Sequence, residues 1–357
     1  MRLLLSGYYG FGNTGDEAIL QATMAGLKER LPSAEFTVLS SAPQETADRL
    51  GVTAVNRWSL PTQLAQLYRA DLFIQGGGGL YQDTTSKLSP MYYFNQLVLS
   101  RLLQTPFVIF AQGIGPIQST FLQGTIVRNF ARARLITVRD ARSAEVLRAW
   151  RLRSPEPIVT ADPVLTMQPC DQDRLDELLA TLQLSRGEYT LVALRSWPES
   201  EHAYEAICEW LGESDRPVLL LPFQDNHDRP IAKSVRDTVG GDHLHIPPEA
   251  YEPREIMGLI QAADMVLAMR LHAMIMACAV GTAAAGISYD PKVNAFCHRS
   301  GQPVMDIRLV ERGATSDLIS AARDSFDRVL ERREDLIAQA RRNFTLVERL
   351  CGELNLQ

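Results

Sequence analysis

The chain has 357 residues, 46% of them hydrophobic and 22% charged, with 36 basic against 42 acidic side chains and a net charge of −6. That length suits two domains with real cores. The absence of a basic block argues against a nucleic-acid partner, so an anionic small substrate would need a local basic site. Five scattered cysteines without a CxxC pair point to reduced thiols, a cytoplasmic setting and no zinc site, and no signal-peptide core fits the first residues.

From the N-terminus, Arg2–Ser6 reads as a buried parallel strand and residues 7–15 as a glycine-rich turn. Thr14 and Glu17 have capping-box spacing. Leu20, Met24, Leu27 and Leu31 make one helical stripe that Pro32 ends, and Phe36–Ser40 is the next strand, giving a βαβ opening. The pattern repeats. Strand Asp71–Gln75 runs into Gly76–Gly79, helix Tyr92–Leu103 follows, and strand Pro106–Ala111 runs into Gly113-Ile114-Gly115-Pro116. Strand Leu135–Val138 leads into Arg139-Asp140 and a helix from about Ser143, and strand Pro157–Thr160 precedes Asp162-Pro163. Such alternation builds a doubly wound parallel sheet.

Polarity rises over residues 167–188, which places a hinge there and bounds an N-terminal Rossmann-like domain at 1–168. A second α/β set, 169–315, has strands at Tyr189–Leu194, Pro217–Pro222 and His243–Ile246 and a helix at Arg254–Ala262. Met265–Ile287 is long enough to span a bilayer, but Arg270 inside it costs roughly 2.5–3.5 kcal/mol on insertion scales. Gly281 and Gly286 also interrupt any helix, so a strand–helix–strand in a soluble core is the better reading. Residues 316–357 are helical and charged and are expected to pack back on the N-terminal domain. The chain therefore reads as α/β, with two doubly wound, Rossmann-like domains facing a cleft and ligands beyond the carboxyl ends of the strands.

Several features at those strand ends suit an anion. Gly10-Phe11-Gly12-Asn13-Thr14-Gly15 matches G-x-G-x-x-G, but the second strand ends in Ser40-Ser41-Ala42 without the acid a dinucleotide ribose needs. A turn presenting backbone N–H groups to another anion, or one needed only for packing, fits as well. Gly76–Gly79 would let backbone approach a ligand, with Gln75 and Gln112 at matching strand ends. Arg270-Leu271-His272 sits where a strand ends and a helix begins, so its free N–H groups and positive helix end face any bound anion. Arg195 ends the strand expected beside it, and Lys292 ends the next. His272 reads as a catalyst or as a satisfied buried histidine. His227, with Asp225 and Asp228, reads as a solvated loop. No zinc, calcium or hydrolase-triad motif is present.

Taken in order, Gly7 to Ala18, Gly76–Gly79, Gln112 to Pro116, Val138-Arg139-Asp140, Asp162-Pro163, Arg270-Leu271-His272 and Tyr289-Asp290-Pro291-Lys292 resemble the polysaccharide pyruvyl transferases, closest to their bacterial CsaB type. The resemblance implies a GT-B-like fold and pyruvate transfer, as a ketal, from phosphoenolpyruvate. The implied acceptor is a sugar, an N-acetylhexosamine such as ManNAc, of a polyprenyl-diphosphate-linked cell-wall or surface-polysaccharide precursor. It implies that Arg195, Arg270, Leu271, His272 and Lys292 hold the donor. His272 is the natural general acid, with Asp16 and Glu17 as candidate bases. The acceptor side would draw on Gly12, Asn13, Gly15, Asp16, Gly77, Gly78, Gln112 and Arg139. No cofactor is expected, since phosphoenolpyruvate is a co-substrate. The partners would be the donor and the lipid-linked saccharide, at the inner face of the plasma membrane, with any membrane contact peripheral and through the acceptor lipid. A nucleotide-sugar glycosyltransferase on the same fold is the alternative, and a non-catalytic sensor of a phosphorylated metabolite is a third reading. The linkage positions and the oligomeric state are not written in any motif.

Overall fold

A computed structural model describes residues 1–82, 88–198 and 200–356. These divide into two compact units: Met1–Gly12 with Asp16–Thr166 and Ala338–Gln357, and Asn13–Gly15 with Met167–Ile337.

The first unit runs β1 (Arg2–Ser6), α1 (Thr14–Arg30), β2 (Glu35–Ser40), α2 (Pro43–Leu50), β3 (Thr53–Asn56), α3 (Leu60–Arg69), β4 (Leu72–Gly76), α4 (Leu88–Leu102), β5 (Phe107–Gln112), α5 (Thr120–Phe130), β6 (Leu135–Val138), α6 (Ala141–Ala149) and β7 (Ile158–Val159). Its seven strands are all parallel, in the order β3-β2-β1-β4-β5-β6-β7. The strands at the centre are near-continuous apolar runs because helices cover both faces; β5, Phe-Val-Ile-Phe-Ala-Gln, is buried at every position. One face packs Leu67, Tyr93, Leu97, Ile126, Phe130 and Leu147 of α3 to α6 onto the sheet. The other packs Leu20 and Leu27 of α1 with Phe344, Val347 and Leu350 from the end of the chain.

The second unit continues with α7 (Gln172–Leu182), β8 (Thr190–Ala193), α8 (Glu201–Gly212), β9 (Val218–Leu220), α9 (Asp225–Val239), β10 (Leu244–His245), α10 (Pro253–Ala262), β11 (Met265–Ala268), α11 (Leu271–Val280), β12 (Ala284–Ser288), α12 (Pro291–Ser300), β13 (Val304–Asp306), α13 (Ala314–Asp324) and α14 (Phe326–Glu353). Its sheet is also parallel, in the order β10-β9-β8-β11-β12-β13. Both sheets reverse direction beside their first strand, at β1/β4 and at β8/β11. Such a switch point opens a crevice at the carboxyl edge, where ligands bind in doubly wound folds. The 265–287 stretch is β11, α11 and β12, and no helix among the described residues is long and apolar enough to cross a membrane. Helix α11 is apolar on all sides, as a helix sunk in a core must be, and of its first nine residues only His272 is not buried.

Residues 316–357 fall into two helices, and α14 belongs to the first unit from Ala338 on. Asn343, fully buried, ties it there. Its amide donates to the Ala161 carbonyl at 2.9 Å, and its carbonyl oxygen accepts from the Thr160 hydroxyl at 2.8 Å. Phe344 packs beside Phe110, with ring centroids 5.9 Å apart, in space that Gly26 of α1 leaves open; a Cβ at Gly26 would collide with it. Asn343→Ala is expected to destabilise the first unit by about 1–3 kcal/mol, because buried polar groups lose their partners. Arg30→Ala, which breaks a half-exposed pair with Glu348 on the same helix, is expected to cost under about 1 kcal/mol. Urea unfolding followed by circular dichroism tests the ranking.

Candidate functional site

At the second sheet's switch point, Ala193 of β8 pairs in register with Ala268 of β11. Arg195 and Arg270 each lie two residues beyond, so neighbouring strand ends deliver them to one edge. Arg270 is the N-cap of α11, in extended conformation (φ −83°, ψ 121°), and Leu271 anchors the triplet in the core. The Arg270 guanidinium donates to the Asp228 carboxylate, and both are buried, at 6% and 1% exposure. The same carboxylate accepts from the backbone N–H groups of Phe223 and Gln224, at 3.0 and 2.9 Å. Asp228 therefore is not part of a solvated loop. It lies in the first turn of α9, a helix whose polar sequence and internal Pro230 hide it from pattern reading.

That pair shapes what surrounds it. The Phe223 carbonyl accepts from Thr14 N–H at 2.8 Å, and Gln224 bridges to Asn13. Asn13 in turn accepts from Gly15 N–H at 3.0 Å. Gly15 then lies against the His272 ring, so closely that a Cβ there would collide with the imidazole. Asn13, Gly15, Arg270 and His272, far apart in sequence, thus form one constellation.

The cations at this edge are not equivalent. Arg195 has no carboxylate within ion-pair distance among the described residues. Its guanidinium donates to the Tyr289 hydroxyl at 2.8 Å and lies over the Tyr289 and Trp197 rings, 5.1 and 5.8 Å from their centroids. Lys292 is half-buried and shares its charge with Asp290, at 3.0 Å, which also caps α12 through the Lys292 N–H. The Arg270 Nε is buried with no partner among the described residues.

The first unit carries different chemistry. After β1, Gly10 packs so tightly on the end of β2 that a Cβ would overlap Ser40, and no acid stands at that strand end. Gly77, at φ +80°, leaves room for Ile19, and Gly78, at φ +75°, lies beside the Asp16 carboxylate, which would stand 2.7 Å from a Cβ there. Gln112, fully buried, holds that loop by donating to the Gly78 and Gly113 carbonyls at 2.9 and 3.0 Å. Gln75 is likewise buried, bonded to Tyr93, Gln96 and Tyr81. Arg139 pairs with Asp162 at 3.3 Å and Asp140 at 3.7 Å and packs on Gly113. These polar side chains shape loops from behind. Glu17 is buried between Gly10 N–H and Arg49, and burial pushes its carboxyl up. Asp16 is half-exposed, and Gly12 is open.

Sequence reading passed over an aromatic cluster beside this turn. Arg57, 2% exposed, donates to the Gly7 carbonyl at 2.7 Å and the Tyr93 hydroxyl at 3.0 Å. Its guanidinium faces the rings of Phe11, Trp58, Tyr92 and Tyr93, 4.5–5.4 Å from their centroids. Tyr8 stacks on Phe11 at 4.1 Å, and Trp58 meets Tyr92 at 5.2 Å with 60% of its surface exposed. Burial and then Asp16 raise the Tyr8 phenol, keeping it a donor. These rings come from three separate loops and helix starts with no periodicity, so only the two tyrosines beside the first glycine turn were a visible signal. Among the described residues no three His, Cys, Asp or Glu side chains gather as metal ligands would.

Asp228→Ala would strand the buried Arg270 charge, and a destabilisation of about 3–5 kcal/mol is expected. Removing both charges with Arg270→Met should recover part of it. Additive losses in a double-mutant cycle would mean the two side chains are not coupled.

Comparison with known proteins identifies the family and the fold. Residues 13–291 match the family described as polysaccharide pyruvyl transferase. A search of the curated proteins finds no match. Among solved structures, the chain is similar to S. aureus MnaA with UDP (TM-score 0.67, 12% identity, covering 100% of this chain and 98% of that one). It is similar to Anabaena HepE in complex with UDP-glucose (TM-score 0.64, 11% identity, 100% and 99%) and to the UDP-GlcNAc 2-epimerase of Methanocaldococcus jannaschii (TM-score 0.60, 11% identity, 92% and 93%). At such identities the likeness is one of fold, two parallel-sheet α/β domains of the GT-B-like kind. The family match runs from Asn13, at the end of the glycine turn, through the Arg270-Leu271-His272 triplet to Pro291, and the chain belongs to the polysaccharide pyruvyl transferase family.

Proposed function

We propose that this transferase takes pyruvate from phosphoenolpyruvate and sets it, as a ketal, on a sugar of a polyprenyl-diphosphate-linked cell-wall or surface-polysaccharide precursor, an N-acetylhexosamine such as ManNAc. The observation that carries the donor assignment is Arg195, a cation without a carboxylate partner among the described residues, delivered beside Arg270 and His272 at the second sheet's switch point. Phosphoenolpyruvate bears a phosphate and a carboxylate, and a guanidinium fork suits either. Lys292 adds charge, and Asp228 fixes Arg270 so that its remaining donors meet the ligand pre-oriented.

In this reading the His272 imidazolium, favoured by the bound anion, gives its proton to the methylene carbon. C2 becomes electrophilic and bonds to one sugar hydroxyl oxygen. Phosphate departs with the electrons of its C2–O bond, and a second hydroxyl closes the ring. Of the two hydroxyl protons, one leaves on phosphate and the other restores His272. Asp16 is the better candidate than Glu17 to accept the first, because Glu17 is buried between Gly10 and Arg49. The rings of Tyr8, Phe11, Trp58 and Tyr92 offer the apolar faces on which a sugar ring stacks. Gln112 and Arg139 act on the acceptor only through the loops they hold. No cofactor enters the reaction. The enzyme works in the cytoplasm, at the membrane that carries its acceptor.

Four measurements test this. In calorimetry with phosphoenolpyruvate, Arg195→Ala is expected to weaken binding about 10- to 100-fold, with Arg195→Lys recovering only part; unchanged affinity removes the donor assignment. His272→Ala should lower turnover about 10²–10⁴-fold with donor binding largely kept. Gly15→Ala, which pushes the imidazole aside without deleting it, should lower turnover about 10²-fold. Mass spectrometry of polyprenyl-linked sugars after incubation should show a gain of pyruvic acid minus one water. Thermal stabilisation by UDP-sugars but not by phosphoenolpyruvate would favour a nucleotide-sugar glycosyltransferase instead.

A further inference from the structure

We infer that the outward face of α3, α4 and α5 is a docking surface for an anionic phospholipid bilayer. This goes beyond the transfer reaction and does not depend on the donor chemistry. The three helices follow one another on one side of the first sheet, since their crossovers join β3, β4, β5 and β6 in the same sense. Large apolar side chains stand out from each. Tyr68 of α3 is 76% exposed, Leu102 of α4 73% and Phe121 of α5 79%, with Met91 on the same α4 stripe as Leu102. Such residues are normally isolated on a soluble surface, whereas each of these three neighbouring helices carries at least one.

The charge around the patch decides what it meets. None of the three helices contains an Asp or Glu, in a chain of net charge −6. Arg69, Arg101, Arg128, Arg132 and Arg134 are exposed on and just beyond them, and none has a carboxylate within ion-pair distance among the described residues. Three of these, Arg101, Arg132 and Arg134, line a recess of about 750 Å³ at the amino ends of β5 and β6. Apolar and aromatic side chains among arginines suit the boundary between acyl chains and anionic headgroups. A second copy fits poorly. A two-fold contact through this face would set arginines against arginines with no Asp or Glu on the three helices to separate them.

Each arginine near an anionic leaflet strengthens binding about five-fold. Sedimentation of the full chain with vesicles of phosphatidylglycerol and phosphatidylcholine is expected to show binding that phosphatidylcholine alone does not support and that falls at least 10-fold in half-molar salt. The variant Arg101→Gln/Arg132→Gln/Arg134→Gln should bind about 100-fold more weakly. Leu102→Ser/Phe121→Ser should also lose binding while keeping the wild-type circular dichroism and melting profile. Binding that ignores lipid charge, no binding at low salt, or undiminished binding by the arginine variant would overturn the inference. So would a dimer, seen by light scattering, that Phe121→Ser dissociates in a protein that ignores vesicles.

Discussion

The buried pair of Arg270 and Asp228 is the interaction on which the second unit's site depends. Two charges inside a protein attract strongly but are costly to bury, and hydrogen bonds to the buried carboxylate offset part of that cost. Asp228 gains such bonds from two backbone N–H groups of the turn after β9. The turn that results holds Asn13 and Thr14, and these place Gly15 against His272. A side chain in α9 therefore sets, through one arginine and one turn, where an imidazole at the start of α11 can lie. This is positioning by a chain of short contacts.

The two units share a winding order and differ in what they present at the switch point. The second offers cations: one facing aromatic rings without a counter-ion among the described residues, one shared with a capping aspartate, one locked to a buried aspartate. The first offers glycine backbone, one half-exposed carboxylate and a group of rings gathered around Arg57. Arg57 is buried as a structural cation, with its positive face turned to the π-electrons of four rings. Cations suit an anionic donor and ring faces suit a sugar, so the proposed reaction assigns each unit the substrate its chemistry can hold. Charge is uneven on a larger scale as well: an acidic protein keeps three adjacent helices free of acids.

Much of the fold was legible because its signals are local. Buried parallel strands are apolar runs, and glycines mark the turns that follow them, so the alternation that defines a doubly wound sheet is written in order along the chain. The elements that pattern reading passed over, α2, α3, α5 and α9 among them, are helices whose buried stripe is narrow or interrupted by polar residues. Their helicity comes from packing on a sheet rather than from propensity.

The candidate site divides along the same line. That Arg195, Arg270, His272 and Lys292 stand at strand ends follows from the sequence, since strand, turn and helix start are adjacent residues. What each one faces does not. Gln112, Gln75 and Arg139 occupy the same kind of position as the donor-side residues, yet they are buried and bonded to loops and carboxylates. The partners of Arg270, Glu17 and Arg57 lie 42, 32 and 36 residues away. Sequence by itself determined which residues reach the edge of each sheet, because that depends on neighbours along the chain. Only the tertiary structure decided which of them turn toward a ligand and which are held from behind, because that depends on contacts between residues the chain brings together from far apart.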